Sequence, residues 1–190
     1  MNFSDQKKLT KTIPIKKKEL ALSSSAKPFD LAVIGGGAAG FMGAITAAEN
    51  GVNSVAIFES TAKVLEKVRI SGGGRCNVTH ACWDPNDLIL NYPRGEKALR
   101  GFFSRFATGD AKAWFEEKGL ELTVEEDGRI FPKSNSSHEV IKCLKHAASN
   151  AGIKHSTNME VIEIKHLSSQ NGFKIKCRSQ EILYSKKILL

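Results

Sequence analysis

Asp30-Leu31-Ala32-Val33-Ile34-Gly35-Gly36-Gly37-Ala38-Ala39-Gly40 is the stretch on which the fold turns, and Phe41 to Asn50 continues it. The apolar run Leu31 to Ile34 predicts a short buried parallel strand. Gly35, Gly37 and Gly40 then spell G-x-G-x-x-G, and an Ala-rich segment of high helix propensity follows as far as Gly51. Each glycine has a mechanical task. Gly35 permits the tight turn out of the strand, and Gly37 lacks the side chain that would hold a pyrophosphate off the backbone. Gly40 lets helix and strand pack closely, with phosphates at the positive helix N-terminus. A second apolar run, Val55 to Phe58, ends at Glu59, about twenty residues past the last glycine, where a ribose-binding carboxylate belongs. This conjunction predicts a dinucleotide-binding β-α-β unit. A glycine-rich turn in some other α/β protein would leave the position of Glu59 to chance.

Outward from that unit, the 190 residues suit one domain or slightly more, enough for a substantial core. The chain carries 28 basic and 20 acidic residues, a net +8, but the excess is uneven. Residues 1–28 hold seven lysines against Asp5 and Glu19, a net +5, which leaves only +3 for all the rest. Residues 1–28 therefore read as a disordered basic tail and 29–190 as the folded part. A nucleic-acid function argued from charge would rest on that tail. The tail has no apolar h-region, so the expected location is the cytoplasm; the alternative is a basic organelle leader for plastid or mitochondrion, which fits poorly with its lack of arginine. The uncharged run from Leu31 to Ala48 is interrupted by glycines and explained by the nucleotide pattern, so no membrane span is expected. Cys76, Cys82, Cys143 and Cys177 show neither C-x-x-C nor paired metal spacing. They read as reduced thiols, with no metal site.

A second glycine cluster lies beyond Glu59. Lys67 is followed by Ser71-Gly72-Gly73-Gly74-Arg75-Cys76-Asn77-Val78-Thr79-His80. Three consecutive glycines exclude a stable helix or strand interior. Such a loop offers bare backbone N–H groups to an anionic or heteroaromatic ligand. Arg75 has the fork geometry for phosphate, and Lys67 supplies a point charge. On its own this would be an ordinary flexible surface loop.

Taken together, the G-G-G-A-A-G turn and the K-x-x-x-S-G-G-G-R-C-N-x-T segment resemble the FAD-binding oxidoreductase family that includes bacterial aminoacetone oxidase. That family belongs to the glutathione-reductase-like two-dinucleotide flavoproteins. The resemblance continues through Tyr92-Pro93-Arg94-Gly95, Asp127 to Pro132 and Ser137 to Ala151, so it covers about residues 30–190. It implies that Gly35, Gly37, Ala38, Ala39 and Gly40 hold the FAD pyrophosphate and Glu59 the adenosine ribose. Lys67, Ser71, Gly72, Gly73, Gly74, Arg75, Cys76 and Asn77 would follow the ribityl chain to the isoalloxazine, and the backbone of Val161 would meet the adenine. The family usually has Asn where this chain has His80. No redox role is implied for Cys76.

The expected fold is thus α/β: a Rossmann-like FAD-binding domain with a parallel sheet, plus a small antiparallel β-meander from Met159 to Tyr184, incomplete at the C-terminus. In the resembled family the strand at Lys186 to Leu190 runs on into a large second half with the substrate domain, so the chain reads as an N-terminal portion, inactive alone. Between these parts, Glu96 to Phe106 predicts a helix whose Leu99, Phe102, Phe103 and Phe106 form a core stripe. Asp110 to Lys118 predicts a second helix whose Trp114 and Phe115 bury against the first. A hairpin closed by Asp127-Gly128 follows, then a helix from Ser136 or Ser137 to Ala151. The implied function is an FAD-dependent oxidoreductase acting on a small-molecule substrate, with NAD(P)H as electron donor or oxygen as acceptor. Resemblance admits amine oxidation or reduction of a conjugated double bond, and no catalytic residue can be named. The alternatives are an NAD-dependent dehydrogenase, which would have no need of the Lys67–Thr79 loop, and a non-catalytic protein binding nucleic acid through its tail.

Overall fold

The computed structural model describes residues 27–168 and 171–190; the tail reading falls almost wholly outside the described residues. β1 (Phe29–Ile34), α1 (Ala38–Glu49) and β2 (Val55–Phe58) form the predicted β-α-β unit, with β1 and β2 parallel and Leu31 opposite Val55. α2 (Glu66–Ile70) leads into a tight turn at Ser71–Gly74 and then β3 (Thr79–His80). Next come α3 (Pro85–Ile89), α4 (Glu96–Phe103), α5 (Thr108–Glu117), β4 (Leu122–Val124), β5 (Arg129–Pro132) and α6 (Ser137–Asn150). β6 (Lys154–Ser156), β7 (Val161–Leu167), β8 (Gly172–Cys177) and β9 (Ile182–Leu189) complete the fold.

Two sheets organise these elements. The larger has the order β6-β2-β1-β9-β8-β7, and the smaller has β3-β5-β4. β6, β2, β1 and β9 are parallel, while β9, β8 and β7 are antiparallel. The expected antiparallel meander is present and continuous with the parallel strands. β9 accounts for this: its first half pairs with β8 up to Ser185, and from Ser185 onward it pairs with β1. The two segments read separately at Glu181–Tyr184 and Lys186–Leu190 are one strand. Ser185 is buried at the changeover, where its hydroxyl donates to Lys187 O at 2.7 Å.

Strands inside a parallel sheet bury both faces, and β1 and β2 do so here. Val33 and Ile57 point to the helical side, where Phe41, Ala44 and Ile45 of α1 meet Val140, Leu144 and Ala148 of α6. Ala32, Ala56 and Phe58 point the other way and pack with Ile175 of β8, with Val161 and Leu183 at the margin. Two strands separate β2 from β8 in the sheet order, so the antiparallel end folds back over this face. Met159 N–H donates to Glu59 O at 2.8 Å and fixes the return.

Two packing expectations fail. The stripe on α4 is not core: Phe102 is 67% exposed and Phe106 47%, and no residue of α4 is fully buried. α4 packs on α3 at the margin, where helical spacing of aromatics finds no second layer to bury them. Phe115 is buried, but in the main core with α1 and α6 rather than against α4. α5 also starts earlier than its Gly109-Asp110 signal. Asp110 is the third helical residue, and its carboxylate accepts the Ala107 N–H at 2.7 Å.

Candidate functional site

At the end of β1 the chain leaves the sheet through Gly35, whose φ of +113° excludes most side chains and whose N–H donates to Phe58 O at 2.8 Å. Gly40 must lack a side chain because a Cβ there would lie 2.1 Å from Gly35 O. Gly37 differs: a Cβ on it would meet nothing within 4 Å. The space beside the first turn of α1 is therefore open. No acidic side chain sits in that turn and no side chain caps it, so its free N–H groups and the positive end of the helix face outward together. Gly36, passed over as an unspecified position, proves equally constrained, since its Cβ would sit 2.8 Å from Val64 Cγ1 and 3.0 Å from Glu59 Cβ.

Glu59 is built into this turn. Its Oε2 accepts the Gly36 N–H at 2.8 Å, and its Oε1 accepts the Thr61 N–H at 2.8 Å, the Thr61 hydroxyl at 2.8 Å and the Ser60 hydroxyl at 3.1 Å. Partial burial pushes its carboxyl up, but these donors outweigh burial and hold it below the usual carboxylate range. Glu59 is therefore an anion at neutral pH. A carboxylate offers about four acceptor positions, so the capacity that remains lies on Oε2.

The second glycine cluster follows α2, which starts after Leu65 in the left-handed region (φ +62°). Ser71 closes the helix by donating its hydroxyl to Val68 O at 2.9 Å. Gly72, Gly73 and Gly74 all have positive φ, and the Cys76 N–H returns to Ser71 O at 3.0 Å. Cys76 is buried at φ +61°, and burial pushes its thiol up, against a smaller opposing contribution from the Ser71 hydroxyl. A thiol kept protonated is a poor nucleophile.

A single cleft of about 760 Å³ joins the two clusters. Gly36, Gly37, Ala38, Glu59 and Thr61 from the first cluster and its ribose-acid strand line it, together with Lys67 and with Ser71, Cys76 and Asn77 from the second. Its apolar wall comes from Met42, Val68, Val78, Phe106 and Phe115. The size suits a large organic ligand, and mixed lining of this kind is usual for cofactor sites. The donor set matches an adenine dinucleotide.

Other anticipated positions lie elsewhere. Gly35 in the turn, Ala39 and Gly40 in α1, and Gly72 to Gly74 are not among the lining residues. Val161 does not line the cleft; it follows Met159, which is bonded to the Glu59 backbone. Arg75 is not among the lining residues. Its guanidinium grips Glu125, with Nη1 2.6 Å from Oε1 and Nη2 3.5 Å from Oε2, and lies 3.8 Å over the Phe131 ring. The fork foreseen for phosphate is taken by a carboxylate fifty positions away in sequence. His80, the departure from the resembled motif, sits in β3 with Nε2 3.1 Å from Asp127 O, on the hairpin rather than in the cleft. Thr61 and Phe106 are lining residues that sequence reasoning missed. A hydroxyl two positions after the ribose acid was the available signal for Thr61.

Several known proteins resemble this chain. A 3-dehydro-bile acid delta(4,6)-reductase from Clostridium scindens is 29% identical over 160 residues, 84% of this chain and 38% of the reductase. A ribosomal RNA dihydrouridine synthase from Haemophilus influenzae is 28% identical over 144 residues, 76% of this chain and 34% of the synthase. The chain thus spans little more than a third of the length of these curated relatives. Among solved structures, the open form of a flavocytochrome c3 fumarate reductase superposes with a TM-score of 0.63 at 19% identity, covering 86% of this chain and 33% of that one. The 3-ketosteroid-delta4-(5alpha)-dehydrogenase of Rhodococcus jostii RHA1 gives 0.60 at 14%, covering 88% and 46%. At such identities the superpositions speak for the fold. The model of the HI0933-like protein Rossmann domain matches residues 29–190, from the first strand to the last, and by that match the chain belongs to the HI0933-like FAD-dependent Rossmann family.

Proposed function

We propose that the protein is an FAD-dependent oxidoreductase that reduces a carbon–carbon double bond conjugated with a carbonyl group. The observation that carries the flavin reading is that residues of both glycine clusters, with Glu59 and Asn77 among them, line one cleft. In this reading Glu59 accepts a hydroxyl of the adenosine ribose, and the backbone from Gly35 to Gly40 seats the pyrophosphate. Lys67, Ser71, Cys76 and Asn77 hold the ribityl chain, with Gly72 to Gly74 shaping the loop between them, and Val161 lies towards the adenine. Bound flavin supplies the two-electron exchange with substrate. The protein's own part is to bind, orient and exclude water, for which the apolar wall at Met42, Val78 and Phe115 is suited.

The double-bond reading draws on the two relatives together. One is named for reduction of a bile-acid Δ4,6 system, and the other for making dihydrouridine, which is uridine saturated at its ring double bond. NAD(P)H is then the electron donor. Amine oxidation with oxygen, as in aminoacetone oxidase, is the second reading, and it draws on the resemblance of the Ser71–Asn77 segment. We further propose that residues 29–190 form the N-terminal part of an FAD-binding domain whose substrate domain lies outside this sequence.

The test begins with the visible absorption of purified protein titrated with FAD. A saturable complex with a perturbed flavin spectrum supports the cofactor; an unchanged spectrum at high protein concentration counts against it. Anaerobic reduction by NADPH, followed by reoxidation with a conjugated enone or with uridine-containing RNA, supports double-bond reduction. Reduction by an amine with hydrogen peroxide released in air would favour the second reading.

A further inference from the structure

We propose that Arg75 is a positioning residue: it braces the Ser71–Asn77 loop against the small sheet and does not contact the cofactor's phosphates. The proposal rests on the flavin reading of the cleft for its purpose, but its geometry stands apart from it. The guanidinium is held on three sides. Glu125 takes its fork at 2.6 and 3.5 Å, Asn135 Oδ1 accepts from Nη1 at 3.3 Å, and the guanidinium Cζ lies over the Phe131 ring, 3.8 Å from the centroid. A fork–fork pair stacked on an aromatic ring fixes a guanidinium in orientation as well as place. Arg75 is absent from the cleft lining, whereas Ser71, Cys76 and Asn77 on either side of it are present.

The rest of the loop is mounted on the same sheet. Asn77 Oδ1 accepts the Ile130 N–H at 3.2 Å, and the Val78 N–H donates to Ile130 O at 2.8 Å. Gly72 packs so closely that a Cβ would lie 3.2 Å from Phe131 Cε1. Three consecutive glycines at positive φ have the most backbone freedom to lose, and they supply no side chain to hold themselves in place. Order in this loop must therefore come from its flanks, and Arg75 is the flank with the most partners. Lysine cannot replace it, because an ammonium lacks both the fork and the plane.

Hydrogen exchange on the protein without added cofactor reads the brace directly. In Arg75→Ala the Cys76 and Val78 amides should exchange at least about tenfold faster, while the Gly35 amide, bonded to Phe58 O, keeps its rate. Arg75→Lys should behave like Arg75→Ala, and Glu125→Gln should reproduce most of the effect. The exchanged pair Arg75→Glu with Glu125→Arg should restore much of the protection. Should the alanine variant unfold, Glu125→Gln and the exchanged pair still decide the matter. Unchanged exchange at Cys76 and Val78 in Arg75→Lys and Glu125→Gln would overturn the proposal. Ligand titration separates the two roles. A brace predicts that Arg75→Lys and Glu125→Gln weaken FAD about tenfold and leave ADP untouched. A direct phosphate contact predicts that Arg75→Ala weakens FAD and ADP alike while Glu125→Gln does neither, and that result would also overturn it. Absence of FAD binding in the unaltered protein would count against the flavin reading alone, since the exchange experiment needs no cofactor.

Discussion

Three alanines placed on neighbouring glycines should give three different outcomes, and the contrast tests the geometry of the turn. In a helix, Gly→Ala ordinarily stabilises by about 0.5–1 kcal/mol. At Gly40 the sign should reverse. The added Cβ would sit 2.1 Å from Gly35 O, more than 1 Å inside normal contact, and the obstacle is backbone rather than a movable side chain. Relief requires the start of α1 to move off the end of β1, and overpacking of this kind costs about 1–3 kcal/mol. Set against the propensity gain, Gly40→Ala should lose about 1–2 kcal/mol, or roughly 3–6 °C in Tm for a domain of this size. At Gly43 the added Cβ meets only Leu189 Cδ2, at 2.5 Å, the far end of a flexible side chain. Gly43→Ala should therefore be neutral within about 0.5 kcal/mol. At Gly37 the Cβ meets nothing, so Gly37→Ala should change stability by less than about 1 kcal/mol, the scale of a helix-cap effect. It should nevertheless weaken FAD by tenfold or more, because the methyl group occupies the diphosphate's room. Urea denaturation followed by circular dichroism, with flavin titration alongside, measures all three. A Gly40→Ala protein as stable as the parent would refute the reasoning, as would Gly37→Ala binding FAD normally.

Other consequences can be checked in the same preparations. Glu59 has its carboxyl depressed by its donors, so its contribution to stability is complete above the ordinary carboxylate value and is lost as pH falls through the lower folded value. Glu59→Gln should flatten that part of an acid denaturation profile, and an unaltered profile would show that the donors contribute nothing. Burial pushes the Cys76, Cys143 and Cys177 thiols up, whereas Cys82 is only half-buried. A thiol reagent at neutral pH should therefore label Cys82 first, and peptide mapping should find the other three only after unfolding. Phe115→Ala should cost about 3–5 kcal/mol, as a large buried side chain does, while Phe102→Ala at 67% exposure should stay within about 0.5 kcal/mol in denaturant titration.

Local rules made much of this protein readable. The strand, glycine turn, helix and acid from Asp30 to Glu59 are contiguous, and each step has a physical cause within a few residues. The same holds for the Asp127-Gly128 hairpin and for α6, whose Ser136 cap accepts from the His138 N–H. What escaped reading depends on partners distant in sequence. Periodicity gives the spacing of Phe102 and Phe106 but says nothing about whether a second layer covers them. Arg75 advertises a fork and not its partner, and Glu125 becomes that partner only when the β4–β5 hairpin forms beside the loop. Gly36 looked like filler between two motif glycines until Val64 and Glu59 were seen to press on it from the next crossover. Thr61 was passed over because a hydroxyl after a strand is common, and only its convergence on Glu59 Oε1 gives it meaning.

The changeover strand has a kinetic consequence. β1 obtains one neighbour early, because β2 lies a short helix away. The other neighbour is β9, whose Ser185 pairs with Phe29 from 156 positions further along. Closing so long a loop before any pairing energy returns is slow, and rates fall as such contacts dominate. During that delay the half-finished sheet, with Ala32 and Phe58 still bare to water, is the species most prone to associate with its own kind. Refolding yield should therefore fall with protein concentration well before equilibrium stability does.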